Sequence, residues 1–506
     1  MSLARTRSVA LVGVEGHMVE VEAHIAAGLA GLHLVGLPDT ALREARDRIR
    51  AAVINSAEDW PDTRITVSLG PASLPKRGSG FDLAIAVAVL AAAGSVPVSS
   101  LDDAVLLGEL GLDGRLHPVP GVLPAVLAAV AAGCRRAVVP ESCLPEARLV
   151  EGVRVIPAAS LAGVLAYLSG RSVPDDPPAE PLPGPPARGV GDLSDVLGQP
   201  LARRALEICA AGGHNLWMLG PPGTGKSMLA ERLTTILPPL SRAEAIETTA
   251  IHSVAGLLPR GHPLIDRPPF RDPHHTSSKP AIVGGGSGRV RPGAASLAHN
   301  GVLFLDEAPE FDRGALDALR QPLETGEIHL ARAWMSVRLP ARFMLVLAAN
   351  PCPCSRTGTR GCLCPPDRRR RYLSKLSGPL LDRIDVKVSL HPVGRAELLA
   401  DRAFAESSAT VAQRVAEARR RATRRLTGTP WRSNAQLPGP VLRRDYRPAD
   451  AAIHRLETAL DRGQLSARGV DRVLRLSWTL ADLAGRDRPT PEDTAFGLAL
   501  WQGAHP

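Results

Sequence analysis

The chain has 506 residues and carries 60 basic against 51 acidic side chains, which gives a formal net charge of +9. This length exceeds what one ordinary hydrophobic core organises and predicts about three domains. Hydrophobic residues make up 44% and charged residues 22%, which excludes a disordered chain, and seven cysteines do not indicate a disulfide-built extracellular scaffold.

The N-terminal region, residues 1–170, is predicted to be a mixed α+β domain. Alternating apolar residues predict strands, whereas 3.6-residue periodicity predicts helices. The predicted strands are Val9–Val14, Met18–Ala23, Leu32–Leu37, Ile65–Leu69 and Arg136–Val139, and the predicted helices are Ala41–Ser56, Asp82–Ala93 and Val122–Ala132. A hairpin of Ala104–Glu109 and Arg115–Pro118 is predicted to turn at Gly111–Gly114. Seven prolines in 171–190 then predict a semi-extended linker.

Two further regions follow the linker. Residues 191–395 alternate strand, loop and helix, which is typical of a parallel α/β layer, whereas residues 396–506 are almost entirely helical in pattern. The predicted C-terminal helices are Arg395–Ala405, Thr410–Thr427, Asp450–Arg462, Ser466–Ala484 and Pro491–Gln502. The net charge is −3 in residues 1–170, +8 in 191–395 and +5 in 396–506. This basic excess suits a polyanionic partner, although a merely soluble protein would also show it.

No targeting or membrane segment is indicated. The apolar run after the N-terminus is interrupted by Glu15, His17 and Glu20, so it does not resemble a signal peptide. Two uncharged stretches of 19 residues, Leu83–Leu101 and Leu116–Cys134, are nominally long enough to span a bilayer. Both contain proline, glycine and polar residues, so we predict buried globular elements and a cytoplasmic protein without a membrane partner.

A phosphate-binding loop is the clearest motif. The apolar strand Asn215–Leu219 leads into a loop that matches the P-loop pattern at all eight positions, namely Gly220, Pro221, Pro222, Gly223, Thr224, Gly225, Lys226 and Ser227. Its backbone N–H groups and the N-terminus of the following helix, Met228–Leu237, attract phosphate oxygens. Lys226 is predicted to reach the β- and γ-phosphates of ATP, and Ser227 is predicted to ligate Mg²⁺. A chance glycine-rich loop is the weaker alternative.

Two other apolar strands end in polar residues suited to the same site. Gly301–Leu305 ends in adjacent carboxylates, of which Asp306 is predicted to support Mg²⁺ and Glu307 to polarise the attacking water. The alternative is an acidic turn that only caps the strand. The position of this strand after a P-loop argues against that alternative. Arg342–Ala349 ends at Asn350, which is predicted to orient the water beside the γ-phosphate.

These motifs resemble those of the AAA+ ATPases. More narrowly, several strings resemble the magnesium-chelatase-like AAA+ proteins of the ComM (YifB) family: Asp272–His275, Val283–Gly286, Ser296–Gly301, Asn350–Cys354 and Leu373–Asp385. The resemblance covers essentially the whole chain. It implies an α/β fold in which an AAA+ P-loop core (191–395) carries a C-terminal helical lid (396–506). A Lon-protease-like, ribosomal-S5-domain-2-like α+β domain (1–170) would precede them.

The resemblance also implies a nucleotide site shared between neighbouring subunits of a homo-hexameric ring. Arg383 matches the arginine finger, which stabilises transition-state charge on the neighbour's nucleotide. Arg468, near the start of a late helix, matches the sensor-2 position and is expected to touch the γ-phosphate from the lid. For both residues, a solvated surface arginine is the alternative.

The resemblance also places two insertions on the face of the ring that meets the substrate, Arg271–Arg291 and the hairpin region Gly326–Arg342. The sequence independently indicates this hairpin, because Glu327–Arg332 and Met335–Leu339 alternate around a short turn. Basic and aromatic side chains suit a nucleic-acid backbone, so the predicted DNA-binding residues are Arg289, Arg291, Arg332, Trp334 and Arg338. The alternative, a hairpin packed on its own domain with Trp334 as a core anchor, stays open.

Four cysteines form a C-x-C-x₇-C-x-C cluster, Cys352, Cys354, Cys362 and Cys364. Four thiols so close in sequence suit tetrahedral Zn²⁺, which would stabilise a short loop. The spacing is tighter than the usual C-x-x-C pair, so reduced free thiols and a redox switch are the alternatives.

The N-terminal domain resembles the proteolytic domain of Lon over Pro75–Ala93 and Leu107–Pro140. Lon catalysis needs a serine nucleophile with a lysine base. Here the segment Gly78–Asp82 departs from the nucleophile motif, and no lysine occurs between residues 77 and 225. We therefore predict a non-proteolytic domain that serves as a ring, partner or DNA-binding platform.

The leading interpretation is a ring-forming DNA motor driven by Mg²⁺ and ATP. The resemblance supplies its role, helicase or branch-migration activity on single-stranded or branched DNA during natural transformation. The alternatives are the energy-coupling ATPase subunit of a metal chelatase, a protein-remodelling or proteolytic AAA+ ATPase, and a non-enzymatic nucleotide-switched scaffold. The Lon-like domain and the cysteine cluster argue against a chelatase subunit, and the missing lysine argues against a protease. A scaffold would require that Glu307 takes no part in hydrolysis.

Overall fold

The computed structural model describes residues 2–36, 40–76, 78–171, 191–259, 261–286, 290–332, 335–354, 362 and 364–503. The predicted linker therefore lies outside the described residues, except for Arg171. Among the helices within these ranges, none combines the length and the apolar character that crossing a membrane requires.

The N-terminal region is built on a seven-stranded mixed sheet of order β3-β4-β2-β1-β5-β8-β9, with a separate two-stranded hairpin, β6-β7. Its strands are β1 (Ser2–Val12), β2 (Glu15–Ala26), β3 (Gly31–Val35), β4 (Arg64–Gly70), β5 (Ala104–Leu106), β6 (Glu109–Leu110), β7 (Leu116–His117), β8 (Arg136–Pro140) and β9 (Arg154–Ala158). Its helices are α1 (Thr40–Asn55), α2 (Asp82–Ala93), α3 (Val122–Ala131), α4 (Leu144–Ala147) and α5 (Leu161–Leu168).

The two uncharged stretches of this region contain short buried helices. Helix α2 has 12 residues and is buried from Asp82 to Ala92, because alanine, valine, leucine and isoleucine cover every face. It ends at Gly94, whose φ of 90° is the left-handed conformation that glycine adopts without strain.

The predicted first strand of the hairpin is divided in the structure. Ala104–Leu106 joins the main sheet in parallel with its neighbours, and only Glu109–Leu110 pairs across the turn.

The second region is a five-stranded parallel sheet of order β11-β12-β15-β10-β16. Its strands are β10 (Leu216–Leu219), β11 (Phe270–Arg271), β12 (Val302–Leu305), β15 (Met344–Ala349) and β16 (Val386–Ser389), and β13 (Glu327–Arg332) and β14 (Met335–Pro340) form a separate hairpin. Its helices are α6 (Pro200–Gly212), α7 (Lys226–Ile236), α8 (Arg242–Ala255), α9 (Lys279–Val283), α10 (Ala294–Leu297), α11 (Arg313–Ala318), α12 (Pro322–Thr325), α13 (Pro366–Leu373) and α14 (Gly378–Leu381).

The parallel arrangement of this sheet positions the site. All residues of β12 and β15 are buried, as expected for strands covered on both faces. Since the strands run in one direction, the loops that follow β10, β12 and β15 leave from the same edge. Ligands of open α/β sheets bind at this carboxyl edge.

The C-terminal region is helical, as predicted. It contains α15 (Arg395–Asp401), α16 (Ser408–Arg425), α17 (Gly439–Arg444), α18 (Asp450–Asp461), α19 (Ala467–Leu483) and α20 (Pro491–Gln502). The apolar side chains of α16 and α19 share a core with α6 and the parallel sheet. A buried ion pair also ties this region to the sheet, with Arg472 Nη1 2.7 Å from Asp385 Oδ1 at the start of β16. The six-residue α17 is too short for periodicity to have indicated it.

The N-terminal region packs against two elements of the second region. Ala250 of α8 belongs to the same apolar cluster as α3, and Ser253 of α8 hydrogen-bonds to Glu146. Gly13, in the turn between β1 and β2, lies against Val337 of β14, where an added Cβ would be 2.7 Å from the valine methyl. A glycine is thus required where the two regions meet, both for its φ of 65° and for this close approach.

Candidate nucleotide-binding site

The loop at residues 220–227 connects β10 to α7 as the motif predicts. Gly223 and Gly225 have φ values of 78° and 87°, so the loop takes left-handed turns that other residues strain to adopt. Helix α7 begins at Lys226 directly after Gly225. The free N–H groups of its first turn therefore face the loop, which is the arrangement that binds phosphate.

Lys226 is 8% exposed and lies at the centre of this loop. Its Nζ donates hydrogen bonds to the carbonyl oxygens of Gly220 at 2.7 Å and Pro221 at 2.9 Å, and to Asn350 Oδ1 at 3.0 Å. Burial lowers the pKa of Lys226, and the nearby carboxylates of Asp306 and Glu307 oppose that shift. The structure thus brings the loop lysine and the predicted water-orienting asparagine into direct contact.

The two predicted magnesium ligands are also adjacent. Ser227 Oγ donates a hydrogen bond to Asp306 Oδ2 at 2.8 Å, and the backbone N–H of Glu307 donates to Asp306 Oδ1 at 2.9 Å. A hydroxyl and a carboxylate beside a phosphate loop are oxygen donors of the kind that Mg²⁺ prefers. The side chains present therefore fit the ion that the sequence predicts.

Glu307 follows β12 with a φ of 51°, an unusual left-handed conformation for a glutamate. Its Oε2 lies 3.4 Å from Nδ1 of His275, a residue to which the sequence motifs assign no catalytic role. Asn350 is 5% exposed at the end of β15. The ends of β10, β12 and β15 thus place one lysine, one hydroxyl, two carboxylates and one amide at a single edge of the sheet.

Arg383 lies after α14 and is buried, with a side chain that is 7% exposed. Its guanidinium donates to Glu324 of α12 and to the carbonyl oxygen of Pro379, and its own carbonyl accepts from Asn215 Nδ2 at 2.9 Å. This burial excludes the alternative of a solvated surface arginine. The arginine-finger role stays a prediction.

Arg468 belongs to the first turn of α19, whose N-terminus is capped by Ser466. Its side chain is 57% exposed, and Nη1 lies 3.8 Å from Asp382 Oδ2. Because Asp382 precedes Arg383 in the chain, Arg468 lies beside the segment that contains the other predicted arginine. Contact between Arg468 and a γ-phosphate stays a prediction.

The β13-β14 hairpin has one buried and one exposed face. Its strands pair in register from Glu327–Pro340 to Arg332–Met335. Ile328, Val337 and Leu339 pack into the core, whereas Arg338 is exposed on the opposite face. Alternation along paired strands therefore anchors the hairpin and still presents a basic side chain to solvent.

The other predicted DNA contacts are described only in part. Arg291 is exposed, and its backbone N–H donates to Gly285 O at 2.9 Å. Arg289, Trp334 and the side chain of Arg332 lie outside the described residues.

The four predicted cysteines converge, and their Sγ atoms all lie within 4.8 Å of one another. Cys352 Sγ is 3.2 Å from the Sγ atoms of Cys354 and Cys362, too far for a disulfide bond. A hydrogen bond from the Cys364 N–H lowers the pKa of Cys362 to about 6, and burial raises the pKa of Cys352 to about 12. Four thiols around one point are the donor set of a structural zinc site.

Three family models match the chain. The model described as magnesium chelatase, subunit ChlI, matches residues 192–398. A second, for subunit ChlI of Mg-chelatase, matches residues 21–143, and a third, for the C-terminal part of ChlI, matches residues 405–500. The first of these matches contains the whole phosphate loop and the strand ends around it.

Similar proteins extend along nearly the full chain. An uncharacterized protein of Mycobacterium tuberculosis is 53% identical over 508 residues, covering 99% of both chains. YifB of Escherichia coli is 43% identical over 96% of this chain and 94% of its own. Competence protein ComM of Haemophilus influenzae is 43% identical over 96% and 95%. A Lon protease of Geobacter metallireducens is 30% identical over 35% of this chain. Given these full-length likenesses, the chain belongs to the ComM/YifB family of magnesium-chelatase-like proteins.

Proposed function

We propose that the protein is an ATP-hydrolysing motor that acts on DNA as a ring of identical subunits. The observation that carries the proposal is the meeting of Lys226, the Ser227–Asp306 pair, Glu307 and Asn350 at one edge of the parallel sheet. Each group corresponds to one requirement of phosphoryl transfer, which needs charge stabilisation and alignment more than covalent chemistry.

The roles of these side chains follow from their positions. Lys226 exchanges its bonds to the two loop carbonyls for bonds to phosphate oxygens, which are stronger because both partners are charged. Ser227 and Asp306 would hold Mg²⁺, which neutralises charge on the phosphates. Glu307 accepts a proton from the attacking water, and Asn350, held by Lys226, orients that water.

The proposal of a ring depends on the arginines that lie beyond this edge of the sheet. Arg383 pairs with Glu324 within its own subunit, so its proposed action on a neighbour's nucleotide requires that pair to open. Arg383→Ala is expected to abolish hydrolysis and spare ATP binding. Arg313→Ala is the matched control because Arg313 is a 72% exposed arginine of the same domain. Turnover retained by Arg383→Ala would remove this arginine from the site.

The positive net charge of the region around the site supports DNA as the substrate. Residues 191–395 carry a net charge of +8, and Arg291 and Arg338 are exposed on the two proposed insertions. The name of the competence protein ComM supports a role with incoming DNA in natural transformation. We propose that this role includes helicase or branch-migration activity. We propose that the motor resides in the cytoplasm.

The test is the steady-state ATPase rate without DNA, with single-stranded DNA and with a four-way junction, at low and moderate salt. Stimulation that weakens with salt supports the DNA motor, because phosphate contacts release counterions. Glu307→Gln is the control that should bind ATP without turnover. Hydrolysis that is indifferent to DNA would favour a protein-remodelling or chelatase-coupling ATPase instead.

We further propose that the cysteine cluster holds structural Zn²⁺. The cluster begins two residues after Asn350 and ends just before α13, so a bound ion would stabilise the loop between them. About one zinc per chain is expected for a four-thiolate site, with loss of zinc in Cys352→Ser and no loss in Cys209→Ser, a buried cysteine elsewhere. Purified protein with less than about half an equivalent would refute the site.

A further inference from the structure

Most of the positive charge of the second region lies in one short segment that follows β15. Residues 350–375 carry seven basic side chains and one acidic side chain, a net charge of +6. The rest of residues 191–395 contributes only +2 to the total of +8. A zinc centre of four thiolates would add a net charge of about −2 and leave the segment at about +4. The charge that supports a DNA substrate is therefore concentrated in this segment.

The base of the segment lies against the nucleotide-binding site. Tyr372, at the end of α13, is 5% exposed, and its hydroxyl hydrogen-bonds to the backbone of Asn350. Burial raises the pKa of Tyr372 to about 12, and the carboxylates of Glu310 and Glu307 add to that shift. Lys375 Nζ pairs with Glu310 Oε2 at 3.3 Å. The two ends of the segment are thus held together beside the edge of the sheet.

Helix α13 projects four consecutive arginines, residues 368–371, from this base. All residues from 365 to 371 are exposed. Successive residues of an α-helix are rotated by about 100°, so the four side chains point to different sides of the helix. Arg369 Nη2 lies 3.5 Å from Cys362 Sγ, which places the arginines directly beside the cysteine cluster.

The charge of these arginines is only weakly neutralised by the protein itself. Arg370 Nη2 lies 2.9 Å from Asp367 Oδ1, but the two side chains are 80% and 77% exposed. An ion pair so open to water contributes little free energy and can exchange for another anion. Among the residues that the structure describes, none forms an ion pair with Arg368 or Arg371.

A second run of arginines, on α16, is used differently. Arg419 Nε donates to the carbonyl oxygen of Ala210 at 2.8 Å, and Arg425 donates two hydrogen bonds of 2.6 Å to the carboxylate of Asp482. These bonds tie α16 to α6 and α19. The arginines of α13 project into solvent instead, so they keep their capacity to bind phosphate.

We propose that α13 is a DNA-binding surface whose arginines, residues 368–371, contact phosphates of the DNA backbone. The inference rests on the proposed function, since it adds a contact to the same DNA substrate. Guanidinium groups bind phosphate oxygens through charge-assisted hydrogen bonds. Contacts to phosphates carry no direct sequence information, so binding at this surface is independent of base sequence.

The test measures the dissociation constant of labelled single-stranded DNA with a non-hydrolysable ATP analogue, at several salt concentrations. Arg368→Ala/Arg371→Ala is expected to bind about tenfold more weakly, with the slope of log K against log salt reduced by about one or more. Arg368→Lys/Arg371→Lys keeps both charges and should stay within about threefold of the wild type. Arg462→Ala/Arg488→Ala removes two exposed arginines of the C-terminal region and should bind like the wild type.

The outcomes separate this inference from the proposed function. A dissociation constant and a salt slope that Arg368→Ala/Arg371→Ala leaves unchanged would overturn the surface, while the DNA motor would stand. An equal loss of affinity in Arg462→Ala/Arg488→Ala would assign the effect to overall charge and overturn it as well. Wild-type protein that binds no DNA would refute both proposals. DNA-free ATP hydrolysis should be the same in all variants, which shows that each has folded.

Discussion

Two lysine-bearing loops of this chain share one local contact and have different surroundings. Lys76 in the N-terminal region and Lys226 in the P-loop are both buried, at 0% and 8% exposure. Each donates a hydrogen bond to the carbonyl oxygen of a proline five residues earlier, Pro71 or Pro221. A buried lysine folded back on its own loop therefore does not by itself indicate a phosphate site.

The polar side chains that follow Lys76 in the chain, Ser79 and Asp82, are paired with other side chains of the N-terminal region. Asp82 accepts from Arg48 Nε at 2.7 Å, burial raises its pKa to about 6, and Ser79 hydrogen-bonds to Glu109. Around Lys226, by contrast, the loop N–H groups, the hydroxyl and the carboxylates converge on the open carboxyl edge of a parallel sheet. The comparison teaches that the predicted role of Lys226 depends on the strand ends that converge beside it at the carboxyl edge, where ligands of open α/β sheets bind, because the contact with a proline carbonyl is common to both lysines.

Removing the loop lysine should have the largest effect. Lys226→Ala is expected to lower the turnover of ATP by about 100- to 1,000-fold, since one preorganised charge at the phosphates is lost. Steady-state hydrolysis measures the effect. Lys76→Met is the matched control and should keep turnover within about twofold. Equal losses of ATP turnover in the two variants would contradict a difference in role between the two lysines.

Lys76 should instead affect the pH dependence of stability. Burial lowers its pKa from the ordinary value of 10.5, so the folded protein binds fewer protons than the unfolded chain as pH approaches that value. The contribution of Lys76 to stability therefore rises with pH toward about 10.5. Urea unfolding at pH 7 and pH 10 should show a smaller rise in Lys76→Met than in wild type. The exposed-lysine variant Lys279→Met should keep the wild-type rise, and an unchanged rise in Lys76→Met would contradict this account.

The smallest effect is expected at the serine of the Lon-like segment. Ser79→Ala removes a hydrogen bond to the partly buried Glu109, which should lower the free energy of unfolding by about 1 kcal/mol or less. Hydrolysis of ATP and of a denatured protein substrate should both match the wild type. Peptide-bond cleavage by wild-type protein that Ser79→Ala abolishes would show a catalytic serine and end the non-proteolytic prediction.

Much of the fold could be predicted because its signals are local. The helices α2 and α20 have the predicted bounds. An apolar composition marks α2, and the Thr490 cap followed by Pro491 marks the start of α20. The two-residue strand β11 and the helix α17 were missed, because so few residues show no periodicity. Pairing of β11 with β12 is visible only in three dimensions, and the contact of His275 with Glu307 depends on it.

By itself, the sequence determined the identity of the loop residues 220–227 and of the side chains that end the apolar strands, since these depend on neighbours in the chain. Tertiary structure alone decided which of them meet. The parallel sheet order brought Asn350 to Lys226 and Asp306 to Ser227. It also buried Arg383 against Glu324. The physical reason is that burial and pairing across long stretches of chain depend on packing, which local patterns of hydrophobicity and turn residues do not contain.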